Sequence, residues 1–193
     1  MSRNDFLSGI RQHKIIQTMF PPQPEKPNLP EDFGRALTLM GGIWDDTFLR
    51  IPSNGYTTLN AHLRGLYPQD SRFCSATPEI IAEMDFSART DTAVLKDVDV
   101  GVVRACFGVA ETGAVFLSDP QLCVNSLSAM AKNLVVLLDV NHIVEHLHLA
   151  HRQPQPFNAR YTVMVTGPAA MADSESALMP GAKSVESLRV IAI

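Results

Sequence analysis

Five consecutive apolar residues, Leu134-Val135-Val136-Leu137-Leu138, stand between Lys132-Asn133 and Asp139. A run that is apolar at every position keeps no face for water, and five residues are too few for a buried helix. It therefore predicts a strand covered on both sides, as in a parallel sheet flanked by helices. The neighbouring sequence has the same rhythm. Val98, Val100 and Val102 alternate with Asp97, Asp99 and Gly101, which predicts a half-buried strand. Val102 to Val109 and Ala114 to Ser118 flank a compact Ala110-Glu111-Thr112-Gly113 turn. Residues 125 to 133 and 141 to 151 read as helices. A strand from Tyr161 to Thr166 leads through Gly167-Pro168 to a short helix, and Leu188 to Ile193 reads as a closing strand. Strands alternating with helices imply an α/β fold built on an open, mostly parallel sheet. Residues 98 to 193 are expected to form one continuous sheet, with Leu134–Leu138 and Tyr161–Val165 among its buried strands.

The first half carries weaker signals. Ser2-x-x-Asp5 has capping-box spacing, and Phe6, Leu7, Ile10 and His13 recur at steps that predict an amphipathic helix over residues 3 to 19. Five of the ten residues from Pro21 to Pro30 are proline, which enforces extended backbone and makes a stiff strap. The expected organisation is thus a helix and strap over residues 1 to 30 and an α/β domain over residues 31 to 193. Within the latter, a helix over Glu31–Met40, a Gly41-Gly42 break, a short strand near Ile43 and a helix over Tyr56–Leu66 are expected. The polar stretch from Glu79 to Asp91 suggests surface structure.

Charge and cysteine content narrow the function. With 193 residues and a net charge of −4, the chain has no global positive field to hold nucleic acid or an anionic membrane. No apolar stretch approaches the roughly 18 residues a membrane span needs, and Met1 to Lys14 does not look like a secretion signal, so a cytoplasmic location is expected. Cys74, Cys106 and Cys123 are odd in number and widely spaced, which suits buried thiols. Three thiols supply neither a disulfide framework nor the four ligands of an iron–sulfur cluster. No metal site is expected: His142 and His146 are spaced i, i+4 on the expected helix, but no third ligand accompanies them.

Two segments carry candidate chemistry. In Gly108-Val109-Ala110-Glu111-Thr112-Gly113, Gly113 can supply positive φ and the Thr112 hydroxyl can bond backbone, which is a purely structural account. Equally, Glu111 is the only charge between Arg104 and Asp119, and a carboxylate on a tight turn at a sheet end can act as base, nucleophile or acceptor. In Gly167-Pro168-Ala169-Ala170-Met171-Ala172-Asp173-Ser174-Glu175, a strand runs into a helix start whose free N–H groups can bind an anion. Any strand-to-helix turn shares that property, and Asp173 and Glu175 also suit a helix start.

These two segments, in this order and spacing, resemble the lactate utilisation domain (LUD) family. Its pattern is Gly-Ile-Ala-Glu-Thr-Gly, then Gly-Pro-Ser-x-Thr-x-Asp-Ile-Glu, then Gly-Val-His-Gly-Pro before an apolar C-terminal strand. Gly108 to Gly113 match nearly throughout; Gly167, Pro168, Asp173 and Glu175 match in the second segment; Gly181 and Leu188 to Ile193 match in the third. Ser2 to Arg11 also resembles the family's opening helix. The chain departs from the pattern at Ala169 and Met171, where the family has Ser and Thr, and at Lys183-Ser184-Val185 in place of His-Gly-Pro. Ala and Met lack side-chain donors, so an anion held there would depend on backbone N–H groups or Lys183.

The resemblance implies a fold like the NagB/RpiA/CoA-transferase group and a place beside iron–sulfur partner proteins in oxidising L-lactate to pyruvate. Three functions follow as expectations: a subunit or accessory protein of such a system, an independent transferase or isomerase using Glu111 on a small anionic metabolite, and a non-catalytic scaffold. The expected ligand-binding residues are Gly108, Thr112, Gly113, Gly167, Pro168, Asp173 and Lys183, around one cleft with Glu111. No cofactor is expected in this chain itself; the iron–sulfur clusters belong to the partners.

Overall fold

The computed structural model describes residues 28–50, 56–68, 71–82, 84–85, 98–118, 131–150, 152, 159–168 and 185–193. In chain order the elements are α1 (Leu29–Leu39), β1 (Ile43–Asp45), α2 (Thr47–Arg50), α3 (Tyr56–Leu66), β2 (Phe73–Ser75), β3 (Met84–Asp85), β4 (Val100–Arg104), β5 (Phe107–Val109), β6 (Ala114–Ser118), β7 (Asn133–Leu138), a 3₁₀ turn (Val140–His142), β8 (Ile143–Val144), α4 (Leu147–Ala150), β9 (Thr162–Val165) and β10 (Ser187–Ala192). The expected helix over residues 3 to 19, the one after Pro168 and most of the proline strap lie outside the described residues; so does the expected helix over 125–133 up to residue 130, while its described end, residues 131–133, is not helical and Asn133 opens β7.

Six strands form an open, fully parallel sheet in the order β1-β10-β7-β4-β2-β3. β7 lies between β10 and β4, and Leu134 to Leu138 are all fully buried. Burying each such side chain contributes about 1.5–3 kcal/mol, which explains why this run forms the middle of the sheet. One face of the sheet packs Leu134, Val136, Leu188 and Val190 against Phe33 and Leu37 of α1. The opposite face packs Val100, Val135, Leu137 and Ile191 against Leu59 and Leu63, one turn apart on α3. At the amino edge, Asp99 joins three strands: its carboxylate accepts from Arg72 N at 3.1 Å and Lys132 Nζ at 2.7 Å, and its carbonyl accepts from Asn133 N at 2.9 Å.

Tertiary pairing corrects several expectations. Residues 98 to 193 do not make one sheet. β5, β6, β8 and β9 form a separate four-stranded sheet in the order β8-β5-β6-β9, with antiparallel β5–β6 and β6–β9 pairs. The expected buried strand at 161–165 is instead the half-buried edge strand β9, its Met164 exposed. The expected half-buried strand near Val98 is the fully covered β4, because Gly101 and Val103 face α1 while Val100 and Val102 face α3. The expected helix over 141–151 is replaced by the 3₁₀ turn, β8 and the single-turn α4: Asp139 caps Asn141 N, and Ile143 and Val144 are taken into the ladder with β5. His142 and His146 therefore share no helix face, and Glu79, expected at the surface, is buried.

The second sheet lies against the α1 side of the first. Val115 and Leu117 of β6 join the same core as Phe33 and Leu37. Its other face stacks Phe107 on Phe116, register partners with ring centroids 4.5 Å apart, beneath Ala150 of α4. Among the described residues, no helix is long and apolar enough to cross a membrane.

Candidate functional site at the carboxyl edge of the sheet

The hairpin turn is built as its sequence requires. Gly113 N donates to Val109 O at 2.9 Å, Gly113 takes φ +66°, and Thr112 Oγ1 accepts from Ala114 N at 3.3 Å. The glycines have a second reason to be there. A Cβ on Gly113 would collide with the backbone of Leu37 and Ala36, one on Gly108 would come within 2.9 Å of Phe33 and Leu138 side-chain atoms, and one on Gly167 would collide with the Met40 carbonyl oxygen. Both motif segments thus converge on one stripe of α1 and its C-cap, at residues 33, 37 and 40.

Glu111 points away from that stripe. Its N–H donates to Glu145 O at 3.1 Å, its Oε2 accepts from Leu147 N at 3.2 Å at the start of α4, and His146 Nδ1 lies 3.6 Å from Oε2. The carboxylate remains about half exposed, at 53%. The His146 ring stacks on His148, with centroids 5.4 Å apart. Pro168 is half-buried after Gly167, while Asp173 and Lys183 lie outside the described residues. Of the motif residues among the described ones, none lines the open groove of about 880 Å³ between α1, Trp44 and Leu49.

Two charged clusters that sequence reading missed occupy the carboxyl edge of the parallel sheet, on the α3 face. Asp45, at the end of β1, is buried; its Oδ1 accepts from Thr47 N at 3.2 Å and Thr47 Oγ1 at 2.6 Å, and its Oδ2 lies 2.8 Å from His62 Nε2 and 3.5 Å from Arg189 Nη1. Burial alone would raise the Asp45 carboxyl, but the hydrogen bonds from Thr47 and His62, with the nearby imidazole, hold it below its ordinary value. Asp45 is therefore ionised at neutral pH, and its Oδ2 is the acceptor opposite His62 Nε2. Burial raises the Tyr67 hydroxyl, partly offset by its hydrogen bond with Arg189.

The second cluster pairs Arg104, the last residue of β4, with Glu79 in the segment that follows β2. The register aligns Asp45 with Ile191, Ile191 with Leu137 and Leu137 with Arg104. The two clusters accordingly stand in one row, three strands or about 14 Å apart, across an apolar floor. Asn60 on α3 fixes the Glu79 segment by donating to Glu79 O at 2.8 Å and accepting from Ile81 N at 2.9 Å. Ser75 Oγ reinforces it, accepting from Thr77 N at 3.1 Å and donating to Thr77 O at 2.9 Å. The available sequence signal was a charged residue closing a short apolar strand, at both Asp45 and Arg104.

A family model described as the LUD domain matches residues 50–193. The chain belongs to the LUD domain family. The match spans both motif segments and the Glu79–Arg104 pair, and it begins after Asp45. Among solved structures, the crystal structure of a DUF162 family protein from Deinococcus radiodurans is similar, with TM-score 0.54 and 12% sequence identity over 85% of this chain and 95% of that one. At that identity it supports the LUD-type α/β fold alone. No curated protein matches the sequence.

In this LUD domain the carboxyl edge divides between β2 and β4. The chain continues from β2 to β3 on one side, whereas β4 is followed in the sheet by β7 on the other. Open α/β sheets bind ligands at such a point, and here it carries Glu79 and Arg104.

Proposed function

We propose that this LUD domain chain is a subunit or accessory protein of an iron–sulfur-dependent L-lactate oxidation system, acting in the cytoplasm beside iron–sulfur lactate utilisation proteins. Family membership supports the lactate-utilisation context. The observation that carries the reading is the placement of the thiols. A four-thiolate cluster exceeds the three cysteines of the chain, Cys74 is fully buried on β2, and Cys106 lies 3.4 Å from Ser118 Oγ between β4 and β5. A four-thiolate cluster is thus not built from this chain alone, and in this proposal the iron–sulfur centres belong to the partners. An exposed apolar set at the edge of the sheet, Leu39, Met40, Ile43 and Leu49, supports protein association.

The test is lactate-dependent dye reduction by the isolated chain, by the iron–sulfur partners, and by the two combined. Turnover that requires the combination is expected; robust turnover by the isolated chain overturns the reading. A second reading, an independent transferase or isomerase, draws support from the half-exposed Glu111 carboxylate beside His146. In its CoA-transferase form, with Glu111 as nucleophile, it requires a covalent glutamyl-CoA thioester at Glu111 when acyl-CoA is supplied, detected by mass spectrometry. The expected ligand contacts at Gly108, Thr112, Gly113, Gly167, Pro168, Asp173 and Lys183 belong to this second reading.

A further inference from the structure

Glu79 is a buried carboxylate with an unfinished hydrogen-bond set. Its side chain is only 8% exposed, Oε1 is taken by Arg104 Nη2, and Oε2 has no hydrogen-bond partner among the described residues. A buried carboxylate oxygen left without a donor is costly, and native structures keep such a group where something else completes it. Its position is also held from outside the pair, since Asn60 grips the backbone on both sides of Ile80. The Arg104 head is 38% exposed, and a guanidinium has five N–H donors, of which this pairing uses one. The pair stands at the division between β2 and β4, where an open parallel sheet presents its ligand crevice.

We propose that Glu79 and Arg104 form a binding site for a small carboxylate bearing a hydrogen-bond donor on the adjacent carbon. Arg104 takes the ligand carboxylate through its free N–H groups, and Glu79 Oε2 accepts from the adjacent donor. A hydroxyl and an ammonium both meet that requirement, so 2-hydroxy and 2-amino acids share the chemistry. A simple carboxylate meets only half of it and leaves Oε2 unpaired. The half-exposed Arg104 head is the part that moves to admit the donor, while the Asn60 clamp keeps Glu79 in place. L-lactate is itself a 2-hydroxy carboxylate, so the hydroxy-acid case deepens and rests on the lactate-system proposal, whereas binding by the isolated chain is tested without Glu111 or any partner protein.

The experiment titrates the isolated full chain with acetate, glycolate and glycine, following backbone amide resonances by NMR. Saturable shifts confined to the amides of Ser75 to Glu79 and Arg104 to Cys106 are expected with glycolate or glycine, at least tenfold tighter than with acetate. Which of the two binds tighter distinguishes a hydroxy-acid from an amino-acid site. Arg104→Lys should weaken all binding by loss of the planar fork, and Glu79→Gln should erase the preference over acetate while the remaining spectrum is retained. Equal response to all three compounds, or no saturable shift with the unmodified chain, overturns the proposal whether or not either variant folds.

Discussion

Gly113 lies directly against the backbone of Leu37, so close that no Cβ fits between them. This contact gives the most recognisable segment of the sequence a packing role. With Gly108 and Gly167 it lets α1 settle onto the second sheet, and Glu111 is carried on the outer side of the same turn.

Gly113→Ala should be among the most damaging single-atom additions to this chain, because it adds both a collision and an L side chain at φ +66°. A loss of about 1–3 kcal/mol or more is expected from the backbone conformation alone. Gly65→Ala is the control: Gly65 is in the last turn of α3 with nothing near its missing Cβ. That change should stabilise by up to about 1 kcal/mol. Urea denaturation of the two variants should move in opposite directions.

Val136→Asp places a charge in the middle of β7, between β4 and β10, where the native side chain is fully buried. A destabilisation above about 4 kcal/mol is expected, enough to abolish cooperative unfolding in a marginally stable domain. An unchanged melting temperature would contradict the packing described for this strand.

Asp45 makes stability depend on acid. Its folded-state pKa is lowered from 3.8, so its contribution is complete above 3.8 and is lost as the pH falls through the lower folded value. Asp45→Asn should cost about 1.5–3 kcal/mol at pH 7, the scale of hydrogen bonds to a charged group. The gap between variant and parent should narrow below pH 3.8. Urea midpoints measured between pH 7 and the lowest pH at which both remain folded will show this.

Glu111→Ala frees the Leu147 N–H that the carboxylate now caps. The loss should be about 1 kcal/mol, typical of a helix cap at an exposed position. Under the subunit proposal, lactate-dependent dye reduction with partners should survive this change. Leu39→Asp, at a residue 78% exposed on the sheet edge, should instead weaken co-purification with the partners without lowering the melting temperature.

What the sequence by itself determined are the features encoded locally. Leu134–Leu138 had to be a doubly covered strand because every position is apolar. The helix over Tyr56–Leu66 matches its expected bounds, and α1 nearly so, with Pro30 in its first turn and Gly41 at φ 80° beyond its end. Gly113 and Thr112 specified their own turn. The separation into two sheets was decided only by tertiary structure, because an apolar run such as 161–165 has the same pattern whether it pairs at an edge or in the centre. Residues 141–151 have helical spacing, yet pairing of Ile143 and Val144 with β5 satisfies their backbone groups better than a short helix would. The carboxyl-edge site was invisible for the same reason. Asp45 and Arg104 are far apart in the chain, and only the parallel register of four strands sets them in one row, with His62 and Glu79 delivered to them by α3 and the segment after β2.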